Sequence, residues 1–148
     1  MSDHTIWKPT FEQLTESLNI SPYHRWLGLK IETITDSGLI LSMPWRDEII
    51  SLPKPQKVIH GGILSTLIDL TGLYCILSQG AKVTGTAYMN VDFLRTATDG
   101  PLVAKGSVIK LGRVISTAEV SVYGPDNRLL AVGRGGYLQT VPDVELSR

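Results

Sequence analysis

The chain is poor in several things, and each shortage excludes a class of function. It has a single cysteine, Cys75, so no internal disulfide framework holds it together. Its three histidines, His4, His24 and His60, are scattered, and no ligand pair falls at helical or strand spacing. That argues against a metal centre. Charged residues reach only 19%, and the 14 basic and 14 acidic residues cancel. A nucleic-acid partner needs a basic excess or stripe, and none is visible. The apolar stretch between Asp69 and Lys82 is far too short for a transmembrane helix of ~20 residues. The first residues, Met-Ser-Asp-His-Thr-Ile-Trp-Lys-Pro, lack the basic start and apolar core of a secretory signal. There is no Gly-x-Ser-x-Gly turn and no phosphate-binding glycine loop. A cytoplasmic protein without nucleic-acid or membrane partners is therefore expected.

Hydrophobic residues make up 43% of 148 residues, which excludes a disordered chain and fits one domain spanning 1–148. The thin supply of charge suggests that some surface is hidden against another subunit. A short helix is expected over 10–20, with Thr10 as cap and Phe11, Leu14 and Leu18 on one stripe. Ser21-Pro22 should stop it, leaving an irregular turn up to Gly28. The core should run over 28–140, beginning with a hairpin turned by Asp36-Ser37-Gly38. Residues 45–57 read as loop. From Gly62 to Gln79 the apolar residues fall almost all round a helix, as expected for one buried on most sides. Four strands follow, over 83–94, 102–111, 114–123 and 129–140, with turns short enough to demand antiparallel neighbours. The fold class is thus α+β, one antiparallel sheet wrapped around one long central helix. The polar tail 141–148 is expected to be flexible.

The chemistry concentrates in Val58-Ile59-His60-Gly61-Gly62-Ile63-Leu64-Ser65-Thr66-Leu67-Ile68-Asp69. Gly61-Gly62 opens the buried helix, where unpaired N–H groups and absent side chains can receive an anion or a developing oxyanion. Asp69 is the only formal charge between His60 and Lys82. A carboxylate there is costly unless it is satisfied, and desolvation would make it a stronger base. Asp69 follows Gly61 by eight residues, so the two lie ~12 Å apart along the helix. One reacting carbonyl can meet both only if they come from different subunits. That predicts a homodimer, alone or within a dimer of dimers, with sites shared across its interface.

These residues resemble the hotdog-fold acyl-CoA thioesterases, and most closely the phenylacetate-degradation-type branch. His60-Gly61-Gly62 followed by Asp69 is similar to that family's histidine–glycine–glycine and helix acid. Asn90-Val91-Asp92-Phe93-Leu94-Arg95-Thr96-Ala97, Leu111-Gly112-Arg113 and Leu130-Ala131-Val132-Gly133-Arg134-Gly135 resemble its later strands. The resemblance implies hydrolysis of an acyl-CoA thioester, with no cofactor beyond the coenzyme A carried by the substrate. It implies Asp69 as general base or nucleophile, the Gly61 N–H as oxyanion donor, His60 shaping that loop and Thr86 orienting the water. Thr84 is the lesser substitute for Thr86. Gly62, Gln56, Arg95 and Arg113 would contact substrate, the arginines through coenzyme A phosphates. Relatives often carry an asparagine six residues before the histidine. Here that position is Lys54, and Gln56 could supply the amide. Trp7, Trp26 and Trp45 are candidates for an acyl pocket, with packing roles favoured for at least two of them. A non-catalytic acyl-CoA-binding module and an acyl-thioester hydratase or dehydratase are the competing readings.

Overall fold

The computed structural model describes residues 7–140, so the tail 141–148 and His4 lie outside the described residues. Helix α1 (Phe11–Ile20) starts at a reciprocal cap. The Thr10 hydroxyl accepts from the Gln13 N–H at 3.2 Å, and the Gln13 side chain accepts from the Thr10 N–H at 2.9 Å. Ser21-Pro22 does end this helix, but the irregular turn expected after it is a second helix, α2 (Pro22–Leu27). Ser21 caps it, and Pro22 sits where a missing N–H costs nothing. Gly28 closes it at φ +70°, and a Cβ there would also meet Pro44 at 2.8 Å. The residues that stop one helix thus start the next.

Strands β1 (Lys30–Ile34) and β2 (Gly38–Met43) form the expected hairpin. The segment 45–57 is more ordered than its sequence suggests. A 3₁₀ turn over Asp47–Ile49 leads into β3 (Ile50–Leu52), which pairs with β4 (Val58–Ile59). The anchor is Ile49, which is buried, and whose carbonyl accepts from the His60 N–H at 2.9 Å. With two hydrophobic residues in each, Ile50 and Leu52 in β3 and Val58 and Ile59 in β4, such short strands carry too little periodicity to show.

Helix α3 (Gly61–Ser78) follows, then β5 (Val83–Phe93), β6 (Leu102–Lys110), β7 (Ile115–Tyr123) and β8 (Leu129–Gln139). The main sheet has the order β1-β2-β6-β7-β8-β5, antiparallel throughout. It curls around α3, which packs against β2, β5, β6, β7 and β8. This is the hotdog arrangement. By length and composition α3 could span a membrane, but in the fold it is the axis of the core.

Small inward-facing residues let the sheet close on this helix. A Cβ at Gly106 would lie 2.6 Å from Cys75 Sγ, and one at Gly133 would lie 2.7 Å from Ile68 Cγ2. Such closeness leaves no room for a side chain and brings helix and sheet to interior packing density. Leu67, Ile68, Cys75 and Ile76 are fully buried as a result.

Burial pushes the Cys75 thiol from its ordinary 9.0 up to about 12. The fold therefore keeps this proton at pH values where the unfolded chain has lost it. The stability this provides is complete below pH 9 and is lost as the pH rises toward about 12. We expect the urea midpoint to fall across that alkaline range, and to fall less steeply in Cys75→Ala. Equal slopes for the two proteins would contradict this assignment.

Candidate active site

The start of α3 is capped by its own preceding residue. His60 is in extended conformation, and its Nδ1 accepts the Gly62 N–H at 2.9 Å. The Ile63 N–H turns back to the His60 carbonyl, also at 2.9 Å. Two of the first-turn donors are thereby satisfied. The Gly61 N–H makes no hydrogen bond among the described residues. His60, Gly61 and Gly62 therefore divide their tasks. One side chain fixes the turn, one glycine receives the cap, and the other glycine keeps a bare donor at the positive end of the helix.

Two turns along, Asp69 is half-buried on the side of α3 that meets β5 and β8. The Thr86 hydroxyl donates to Asp69 Oδ1 at 2.7 Å. The Tyr137 hydroxyl donates to the Asp69 backbone carbonyl at 2.9 Å. Thr86 and Tyr137 are direct partners across β5 and β8. One cross-strand pair thus holds both the side chain and the backbone of Asp69. Tyr137 is fully buried, and its ring lies in a slot that a Cβ at Gly72 or Gly135 would fill, at 2.1 and 2.5 Å from its hydroxyl oxygen. Burial, followed by the nearby Asp69 and Cys75 charges, raises the Tyr137 hydroxyl pKa, so it stays a donor.

The other expected residues are placed as follows. Thr84 donates to the Leu138 carbonyl at 3.3 Å, which leaves the contact with Asp69 to Thr86. Gln56 and Lys54 are exposed in the β3–β4 turn, where the Gln56 N–H bonds to the Pro53 carbonyl. Arg95 donates to the Leu129 carbonyl at 2.9 Å and borders a cavity beside Gly61. Arg113 is exposed in the β6–β7 turn, next to the residues that pair with the start of β5. A single chain therefore does not bring the two arginines together. Arg134 and Asp92 face away from the helix, across a polar outer surface. Trp26 carries Arg46 over its ring at 4.2 Å, and Trp45 packs against Gly100. Among the described residues no three His, Cys, Asp or Glu side chains converge as metal ligands would.

Residues 56–131 match the family model of the thioesterase superfamily. The chain belongs to the thioesterase superfamily. A solved thioesterase-superfamily protein shares 41% identity and a TM-score of 0.81, covering 86% of this chain and 96% of that one. A Halobacterium salinarum protein provisionally named an esterase is 32% identical over 76% of this chain and 80% of its own length. A medium/long-chain acyl-CoA thioesterase of Salmonella typhimurium is 24% identical over 79% of this chain and 84% of its own length. The expected thioester hydrolase on a hotdog fold stands with these likenesses.

In this thioesterase-superfamily chain two contacts were not readable beforehand. Tyr137 reaches Asp69 only through the β5–β8 register. The Phe93 ring lies against Gly61, where a Cβ would meet its Cζ at 3.3 Å. Its place in an alternating strand did not identify that neighbour.

The cap makes a direct prediction. His60→Ala should cost about 1 kcal/mol of stability in a urea titration, and His60→Asn, which can accept the same N–H, should recover most of it. Equal losses in both variants would show that the imidazole acts through packing instead.

Proposed function

We propose that this protein hydrolyses acyl-CoA thioesters to the free acid and coenzyme A, at sites built jointly by two copies of the chain. The observation that carries the reading is the separation of two prepared groups. Asp69, held by Thr86, lies at one end of β5, and the bare N–H of Gly61 lies beside Phe93 at the other. Among the described residues β5 is the last strand in the sheet, with its outer side unpaired. Antiparallel pairing of two such strands, centred between Met89 and Asn90, sets Thr86 of one copy across from Phe93 of the other. Asp69 of one copy then faces Gly61 of its mate. The same symmetry brings Arg113 of one copy toward Arg95 of the other, flanking one composite site that anionic coenzyme A phosphates would favour.

In the reaction, water attacks the thioester carbonyl carbon and yields a proton to the free Asp69 oxygen, while the other carboxylate oxygen keeps its bond to Thr86. The carbonyl oxygen gains charge in line with the Gly61 N–H and the helix dipole. The carbon–sulfur bond breaks, and the leaving sulfur takes up the proton. The products are a carboxylic acid and a thiol, and no cofactor enters. His60 supports hydrolysis over hydration, because its Nδ1 accepts the Gly62 N–H, which leaves the proton of the neutral ring on Nε2 and no ring nitrogen free to act as a base. A dimer of dimers and a cytoplasmic location complete the reading, the latter in keeping with the free thiol of Cys75.

The test is thiol release from a panel of acyl-CoAs. Asp69→Asn keeps the shape and should lower kcat by about 10²-fold or more. Thr86→Val should also lower kcat, and Thr86→Ser should restore it. Full turnover by Asp69→Asn would refute the role of this carboxylate. Binding of acyl-CoA without turnover by the natural protein would favour a sensing module.

A further inference from the structure

The mechanism uses the N–H of Gly61 but leaves open where the acyl group goes. Two cavities border the start of α3. One, of about 370 Å³, is lined by Tyr23, Ile49, Ile63 and His60 and also by Glu48. The Glu48 carboxyl is held below its usual range by a backbone hydrogen bond and by Arg46. A carboxylate at its rim repels the anionic phosphates of coenzyme A, whereas the charge beside the other cavity is a guanidinium. The other, of about 270 Å³, is lined by Val58, Ile59, Leu64, Phe93 and Ala97, with Gly61 in its wall and Arg95 beside it. Its side chains are hydrocarbon apart from Arg95 and Thr96.

We propose that the second cavity receives the acyl group and that Phe93 is the side chain that limits its size. The inference rests on the hydrolase reading above. Gly61 and Phe93 line the same cavity, and a Cβ on Gly61 would lie 3.3 Å from the Phe93 ring, so an acyl group whose carbonyl meets the Gly61 N–H has that ring as its neighbour on this side. The groove is open on one side and has room for an apolar acyl group of several carbons. Phe93 is itself 55% exposed at the edge strand. Its outer side is therefore free to pack against the acyl chain or against the second copy, and a smaller residue there opens the cavity rather than emptying the core.

The experiment measures kcat and KM by thiol release, on acyl-CoAs running from acetyl to palmitoyl, for the natural protein, Phe93→Ala, Phe93→Leu and Phe93→Trp. The natural protein should favour medium chains. Phe93→Ala should raise the ratio of kcat/KM for long over medium chains by about ten-fold or more, since one methylene in an apolar pocket can be worth that much. Phe93→Trp should shift preference toward shorter chains. Gel filtration accompanies each variant, and if Phe93→Ala fails to assemble, Phe93→Leu should show the same shift in smaller measure. A uniform loss on every substrate, with the chain-length profile unchanged in the assembled variants, overturns the role of Phe93. Asp69→Asn separates the two levels. Turnover that depends on Asp69 with an unmoved profile refutes the acyl wall alone. Absence of Asp69-dependent turnover on every substrate refutes the hydrolase reading and this inference with it.

Discussion

A helix cannot bend its own ends together. Gly61 and Asp69 lie ~12 Å apart along one rigid axis, and every other arrangement in the molecule accommodates that spacing. The sheet supplies a strand, β5, that reaches both positions, touching Asp69 through Thr86 and Gly61 through Phe93. Because β5 ends the sheet, a two-fold partner can reverse its direction and so exchange its ends. The Gly61 N–H and the Asp69 carboxylate are each held within a single chain, and in the proposed dimer their exchange would build the site.

The same packing that stabilises the fold positions Asp69. Gly72 and Gly135 leave a slot for Tyr137, and Tyr137 pins the helix at Asp69 through a buried hydrogen bond. Thr86, its cross-strand partner, pins the carboxylate. A charge on an otherwise apolar helix would be costly if unpaired. Here Thr86 satisfies one oxygen, and among the described residues the other has no hydrogen-bond partner. At the far end the economy is similar: His60 spends its ring nitrogen on Gly62, so the neighbouring donor remains free. Restraint of each group in advance lowers the reorganisation needed when charge develops.

Much of this was legible in the residues. The all-round apolar pattern of 62–79 announced a central helix, and the lone Asp69 within it is where Thr86 and Tyr137 converge. The spacing of Gly61 and Asp69 foretold that one chain would not bring them together. What stayed hidden depended on contacts between distant segments. Tyr137 belongs to the site only because β8 is registered against β5 with Thr86 opposite. Helix α2 escaped notice because Ser21-Pro22 reads equally well as an end or a beginning. The strands β3 and β4 are too short for their period to show. Arg95 and Arg113 looked like equivalent phosphate ligands, and only the topology reveals that they lie at opposite ends of β5.

The central claim is that two chains share each site, and mixing two inactive variants tests it most directly. Asp69→Asn removes the base. Gly61→Pro removes the donor N–H at a first helical position that tolerates proline, preceded by an extended His60. Each variant alone should be inactive. Co-refolded in equal amounts, half of the dimers should be mixed, and each mixed dimer should hold one intact site, so roughly a quarter of natural activity should return. Recovery at that level establishes the shared site. No recovery, with mixed dimers shown to form, would contradict it.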